Sequence, residues 1–192
     1  MSKNYQETYC EYHNRNYTDE LLRMLRGEVF HLTSKQAFDK IKRDGFIYHN
    51  QKERYALNAS SANSFGRKQG WVCLLDLRNK SKKNITEALI NYYFLWPPWL
   101  GEYQVDFAEM NLAYLILDAR NYDKLVLSKM INKSIIKNTM HVPEVECWYP
   151  GDLPFSFIRE SILVKIMLDA PKDDRLLYAH HLRGVMFGPE VR

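Results

Sequence analysis

Val29-Phe30-His31-Leu32-Thr33-Ser34, followed by residues 35–43 and then Gly45-Phe46-Ile47-Tyr48, decides how this chain folds. Val29 to Leu32 is a short apolar run suited to a buried strand. Ser34 is a good N-cap, since its hydroxyl can accept an orphan N–H of the next turn. Lys35 to Arg43 puts Ala37, Phe38 and Ile41 on one helical face. Gly45 falls where a left-handed residue ends such a helix, and Phe46-Ile47-Tyr48 begins a second strand. His31 is thereby held at a strand edge between elements that leave it little freedom. On spacing alone it is simply a histidine in a β-α-β unit.

Working outward, residues 1–17 are polar and expected to be loose. Thr18-Asp19-Glu20 opens a helix with Leu21, Leu22 and Leu25 on its apolar face, and Gly27 stops it. Beyond Tyr48, residues 49–58 are polar and residues 59–70 are dominated by small side chains, which permit close approach of a ligand or a neighbouring helix. Trp71 to Leu77 is an apolar strand, and Arg78 to Lys83 a solvated basic turn. Thr86 to Leu95 is expected to be helical, ended by Trp96-Pro97-Pro98-Trp99. Leu112 to Leu117 is a strand, Tyr122 to Ile131 a helix with Leu125 and Val126 inward, and Ile162 to Met167 another strand. A final helix is expected from Asp174 to Leu182.

Between these, the polar stretch 133–142 leads into Pro143-Glu144-Val145-Glu146-Cys147-Trp148-Tyr149, whose alternation is strand-like. Two residues apart on a strand, Glu144 and Glu146 point to one face. Paired carboxylates repel and are costly to bury, so an open face beside a cleft is expected there. Glu160 is the competing acid, expected at the surface before the last strand.

The chain has 192 residues, 46 % of them apolar, so one domain with a substantial core is expected over 1–192. A net charge of +4 permits a polyanionic partner without demanding one. Cys10, Cys73 and Cys147 are widely spaced, which excludes zinc-ribbon spacing and suits a reducing compartment. Neither the adjacent His180-His181 nor the other histidines have metal-ligand spacing. The polar N-terminus and the lack of a long apolar run lead to the expectation of a soluble, cytoplasmic protein without a membrane partner. There is no dinucleotide fingerprint and no Walker loop.

His31-Leu32-Thr33, then a helix, Gly45 and an apolar pair resemble the opening of NAD-consuming ADP-ribosyltransferases, most of all the DarT group of DNA-modifying toxins. RNA 2′-phosphotransferases open in a related way. The resemblance implies an α+β fold with an ADP-ribosyltransferase-like split antiparallel β-sheet and packed helices. It implies NAD as co-substrate and no metal. His31 would bond a hydroxyl of the adenosine ribose, and the backbone of Leu32 and Thr33 would hold the nicotinamide amide. Tyr55-Ala56 and Ser61-Ala62-Asn63 before a strand are similar to the middle block of poly-ADP-ribose polymerases, which gives Ser61 to nicotinamide. The stacking tyrosine of that block falls on Ser64, so Phe65, Tyr48 or Tyr55 would stack instead. Arg54 joins the NAD-binding set; with Arg67 it would serve a 2′-phosphate in a phosphotransferase.

Glu146-Cys147-Trp148-Tyr149-Pro150-Gly151-Asp152-Leu153-Pro154 resembles the DarT pattern around its catalytic acid, and Glu144-Val145-Glu146 resembles arginine-modifying transferases, whose second Glu is catalytic. Both give catalysis to Glu146. Glu144, Asn138, Thr139 and His141 would then meet the acceptor. His31 and Glu146 are expected to lie on strands lining one cleft, and side chains facing opposite sides of the domain would overturn the whole functional reading. The implied activity is transfer of ADP-ribose to a nucleic-acid base, DNA or RNA, by a toxin or defence effector with a neutralising antitoxin protein. Lys129, Lys133 and Lys137 would contact phosphates, and Trp96, Trp99, Tyr149 or His141 would stack a base. A protein acceptor, an RNA 2′-phosphotransferase and a non-catalytic NAD or ADP-ribose-binding module are the alternatives.

Overall fold

The computed structural model describes residues 5–12, 17–54, 63–81, 83–85, 88 and 109–167. The expected helix at 174–182, most of that at 86–95, the Trp96-Pro97-Pro98-Trp99 element, Tyr55 and Ser61 lie outside the described residues.

The opening stretch folds much as its residues dictate. β2 runs Val29–Ser34 and α2 runs Lys35–Asp44. The Ser34 hydroxyl accepts the Ala37 N–H, and Gly45 closes the helix at φ 77 with its N–H on the Ile41 carbonyl. Lys42 and Arg43 lie in the last turn, where positive charge complements the helix dipole. Beyond Gly45 the chain departs from a β-α-β unit. β3 is only Phe46–Ile47 and pairs antiparallel with β8, Leu153–Pro154, in a separate two-stranded sheet. Tyr48 lies just beyond it.

The main sheet has seven strands, in the order β1-β9-β5-β2-β4-β7-β6. Its members are β1 Gln6–Tyr12, β4 Trp71–Asp76, β5 Glu109–Leu117, β6 Val126–Leu127, β7 Glu146–Pro150 and β9 Ile158–Met167, together with β2. All its pairings are antiparallel except β1 with β9. The chain is therefore α+β with a large, mostly antiparallel sheet.

β1 corrects the expectation of a loose N-terminal stretch. Its Tyr12 is buried, while Glu7 and Glu11 keep charge along an outer edge, which blunts pairing with other chains. Glu7 is held by Lys42 of α2. A second correction falls at 122–131, which is not a helix. A 3₁₀ turn spans Ala119–Lys124, capped by the Asp118 carboxylate, and β6 follows as the other edge strand. Leu125 is buried there, but Val126 is only partly covered.

Two apolar layers sandwich the sheet. On one face Leu21 and Leu25 of α1, Tyr17–Leu25, pack with Phe30, Leu75, Tyr114, Ile116 and Val164. On the other, Phe38 of α2 packs with Val29, Leu74, Leu115, Leu117 and Ile158. Each large side chain removed from water in this way contributes about 1.5–3 kcal/mol. A third cluster joins Phe65, Ile136 and Trp148, beneath α3, Phe65–Gln69.

α3 can sit that close because residue 66 is glycine. A Cβ built there would stand 2.4 Å from Trp148 Cδ1 and 2.5 Å from Cys73 Sγ. Both neighbours belong to the sheet, and Trp148 is fully buried. Gly66→Ala is expected to lower stability by about 1–3 kcal/mol through overpacking, seen as an earlier urea midpoint with an unchanged slope. A midpoint at or above that of the parent would show that α3 moves off freely.

Candidate functional site

β2 and β4 part almost as soon as they meet. Only Val29↔Asp76 and Phe30↔Leu75 are paired, while β2 stays on β5 as far as Ser34↔Leu112. The Asp76 N–H bonds the Val145 carbonyl, toward β7, so alternation turns the backbone groups of Leu75 and Cys73 toward β2. A continuing ladder would set Leu32 N–H on the Cys73 carbonyl. Instead the His31 ring takes that carbonyl, with Nδ1 at 2.9 Å. The same alternation turns the backbone N–H and C=O of Leu32 into the parting, with no β4 residue in register opposite them. One N–H and one C=O at a strand edge are the complement of a carboxamide.

The carbonyl can only accept, so Nδ1 carries the proton and Nε2 is left as an acceptor. Burial holds His31 below the usual imidazole range, and the Cys73 bond opposes this in part. The ring is therefore neutral at pH 7, with its acceptor nitrogen suited to a hydroxyl.

Glu146 lies at the start of β7, one strand beyond β4. It is 8 % exposed. Its Oε2 accepts the Val142 N–H at 2.6 Å and its Oε1 accepts the Trp148 indole N–H at 2.8 Å. Burial pushes this carboxyl up to about 7, against the Val142, Trp148 and Cys73 hydrogen bonds that favour its charge. The Glu146 N–H in turn bonds the Val142 carbonyl, closing the loop before β7 from both sides.

Several expectations are corrected here. Glu144 and Glu146 do not share a strand face. Glu144 sits in a turn at φ 66, its side chain 73 % exposed and 3.6 Å from Lys80. The face carrying Glu146 is closed, not open. His31 and Glu146 do not project from one face either. Phe30, Leu75 and Glu146 are in register and share the α1 face, whereas His31 is opposite Leu115 on the α2 face. Cys73 connects the two sides: its carbonyl holds His31, and its thiol is hydrogen-bonded to Glu146 and lies 3.3 Å from Ser64 Oγ. Phe65 cannot stack nicotinamide, because it is 1 % exposed and packed edge-on against Trp148 at 4.9 Å. Glu160 lies within β9, not ahead of a strand, and accepts the Thr8 hydroxyl.

The remaining residues are spread around these two. Tyr48 is half-buried, with the Arg54 guanidinium 4.0 Å from its ring centre. Arg67 lies 3.5 Å from Glu53. Thr139 bonds the Ile136 carbonyl through its hydroxyl, and Asn138 is exposed. Burial lowers the basicity of His141, a Thr139 backbone bond opposing it. This loop is fastened to the start of α3, with Phe65 N–H on the Met140 carbonyl and Met140 N–H on the Asn63 carbonyl. Lys129 and Lys137 are exposed beside it, whereas Tyr149 is partly buried against Phe157. Sequence reasoning misses Cys73 and Trp148 as site members. The one available signal is Trp148 two residues after Glu146, which puts both on one strand face.

Among the described residues no group of His, Cys, Asp and Glu could hold a metal ion, and no helix is long and apolar enough to cross a membrane. No protein-family profile, curated protein or solved structure matches the chain.

Proposed function

We propose that the chain is an NAD-dependent ADP-ribosyltransferase, a toxin or defence effector that transfers ADP-ribose to a nucleic-acid base and releases nicotinamide. The observation that carries this is the parting of β2 from β4 at His31, which leaves the Leu32 backbone edge beside a neutral imidazole whose Nε2 has no partner among the described residues. A carboxamide pairs with that edge as a further strand would. Nε2 accepts a ribose hydroxyl. The dinucleotide then crosses the parting instead of lying along one face.

Cleaving the nicotinamide bond passes through an oxocarbenium-like transition state at the ribose anomeric carbon. A carboxylate held near that carbon stabilises the developing charge. Glu146 is the residue for this role. Its oxygens accept from Val142, Trp148 and the Cys73 thiol, which leaves one acceptor position for a ribose hydroxyl. The loop of Asn138, Thr139 and His141, with Lys129 and Lys137 exposed nearby, supplies an acceptor surface. Glu144, exposed beside Lys80, would join it.

A second reading, a non-catalytic module for NAD or ADP-ribose, is favoured by one observation: Glu146 is enclosed on the face opposite His31. Calorimetric titration with NAD, paired with chromatography of released nicotinamide, separates the two. Release supports the transferase, binding without release supports the module, and no binding removes both. For the acceptor, label from NAD in a cell lysate is expected to be lost to nuclease and to survive protease. The reverse pattern would replace nucleic acid by a protein acceptor.

A further inference from the structure

We infer that Trp148 is a positioning residue for Glu146, its indole N–H fixing both the direction and the ionisation of that carboxylate. Nothing in the transfer chemistry itself requires a tryptophan here. A fully buried indole needs one acceptor for its N–H, and a main-chain carbonyl would serve. This one is instead aimed at a carboxylate two residues away on the same strand face, at 2.8 Å. The ring cannot swing off. Phe65 meets it edge-on at 4.9 Å, Trp71 lies at 6.5 Å, and Gly66 brings α3 directly onto the indole edge. The direction of the N–H is thus set by a packed aromatic cluster.

Glu146 is thereby held from three sides: Val142 N–H on one oxygen, Trp148 N–H on the other, and the Cys73 thiol from β4. Cys147, on the other face of β7, is the further titratable group coupled to it. Burial pushes both thiols up, so neither carries charge at neutral pH. No cation counters the carboxylate in this set, which leaves neutral donors to keep it ionised. Of these, the indole and the Cys73 thiol are side-chain donors whose removal leaves the backbone of the loop intact, and the indole is the one at 2.8 Å.

The kinetic part of the test rests on the transferase proposal; the titration part does not. Trp148 is replaced by benzothienylalanine, which puts sulfur in place of the N–H and keeps the ring, and separately by Phe. The Glu146 carboxyl carbon is followed by ¹³C NMR across pH, assigned by its loss in Glu146→Gln. With burial pushing the carboxyl up to about 7, the parent midpoint is expected there. In both variants it is expected to rise, since a bond to the charged form is gone. The acid limb of nicotinamide release should move the same way, with the variant-to-parent rate ratio lowest near about pH 6 and climbing toward one by about pH 9. An unchanged midpoint, or a rate lowered equally at every pH, overturns the inference and leaves Trp148 a packing residue. A raised midpoint in a protein that releases no nicotinamide supports the positioning of Glu146 and overturns the transferase instead.

Discussion

Glu146→Gln is expected to release nicotinamide from NAD at least about a hundredfold more slowly than the parent. One preorganised electrostatic contact to a developing charge contributes about 3 kcal/mol to the barrier, and each 1.36 kcal/mol is about tenfold in rate. The substitution does more than remove a charge. Both Glu146 oxygens accept N–H groups, from Val142 and from Trp148. A glutamine offers one oxygen and one NH₂, so one of the two donors meets another donor. Leaving a buried donor unsatisfied costs about 1–3 kcal/mol, and the folded fraction must be measured beside the rate. Glu160→Gln is the control. Its partner is the Thr8 hydroxyl, which an amide oxygen accepts equally well, so near-parental release is expected. Equal rates in Glu146→Gln and the parent would remove the acid from the mechanism.

Local features are the ones legible in the sequence. Ser34 and Gly45 announce the ends of α2 through side-chain and backbone chemistry that acts within four residues, and both do what their residue types imply. The apolar runs expected at 71–77 and 112–117 fall in the strands Trp71–Asp76 and Glu109–Leu117 for the same reason. Features that depend on distant partners are not legible. Gln6–Tyr12 looks polar because it is an edge strand, and its partner β9 lies more than 150 residues away. The Glu144-x-Glu146 spacing implies a two-residue period, but Pro143 and a left-handed Glu144 break that period two residues before β7 begins. Phe65 takes its expected role from its place in a motif, and burial against two tryptophans overrules that. The opposite faces of His31 and Glu146 arise from the Phe30↔Leu75↔Glu146 register, which no single strand reveals.

The stability of the fold should itself depend on the charge of Glu146. Its carboxyl is pushed up to about 7 from its ordinary 4.5, with burial as the cause. The folded protein therefore holds that proton more tightly than the unfolded chain does. The resulting stabilisation is fully present below about pH 4.5 and is lost as pH rises through 7, amounting to roughly 3 kcal/mol at 1.36 kcal/mol per unit. His31 works against it. Burial lowers the imidazole, so its contribution is present above the ordinary 6.5 and is lost as pH falls. In the parent the two oppose each other below about pH 6.5. Glu146→Gln removes one of them. Urea titrations of both proteins at about pH 5 and about pH 8 isolate the carboxyl as a difference. The stability of the parent relative to the glutamine variant is expected to fall by roughly 2 to 3 kcal/mol between those two conditions, part of the effect being lost already by about pH 5. A pH-independent difference would mean that Glu146 stays ionised throughout, with its neutral donors outweighing burial. The acid limb of nicotinamide release would then have to come from another group.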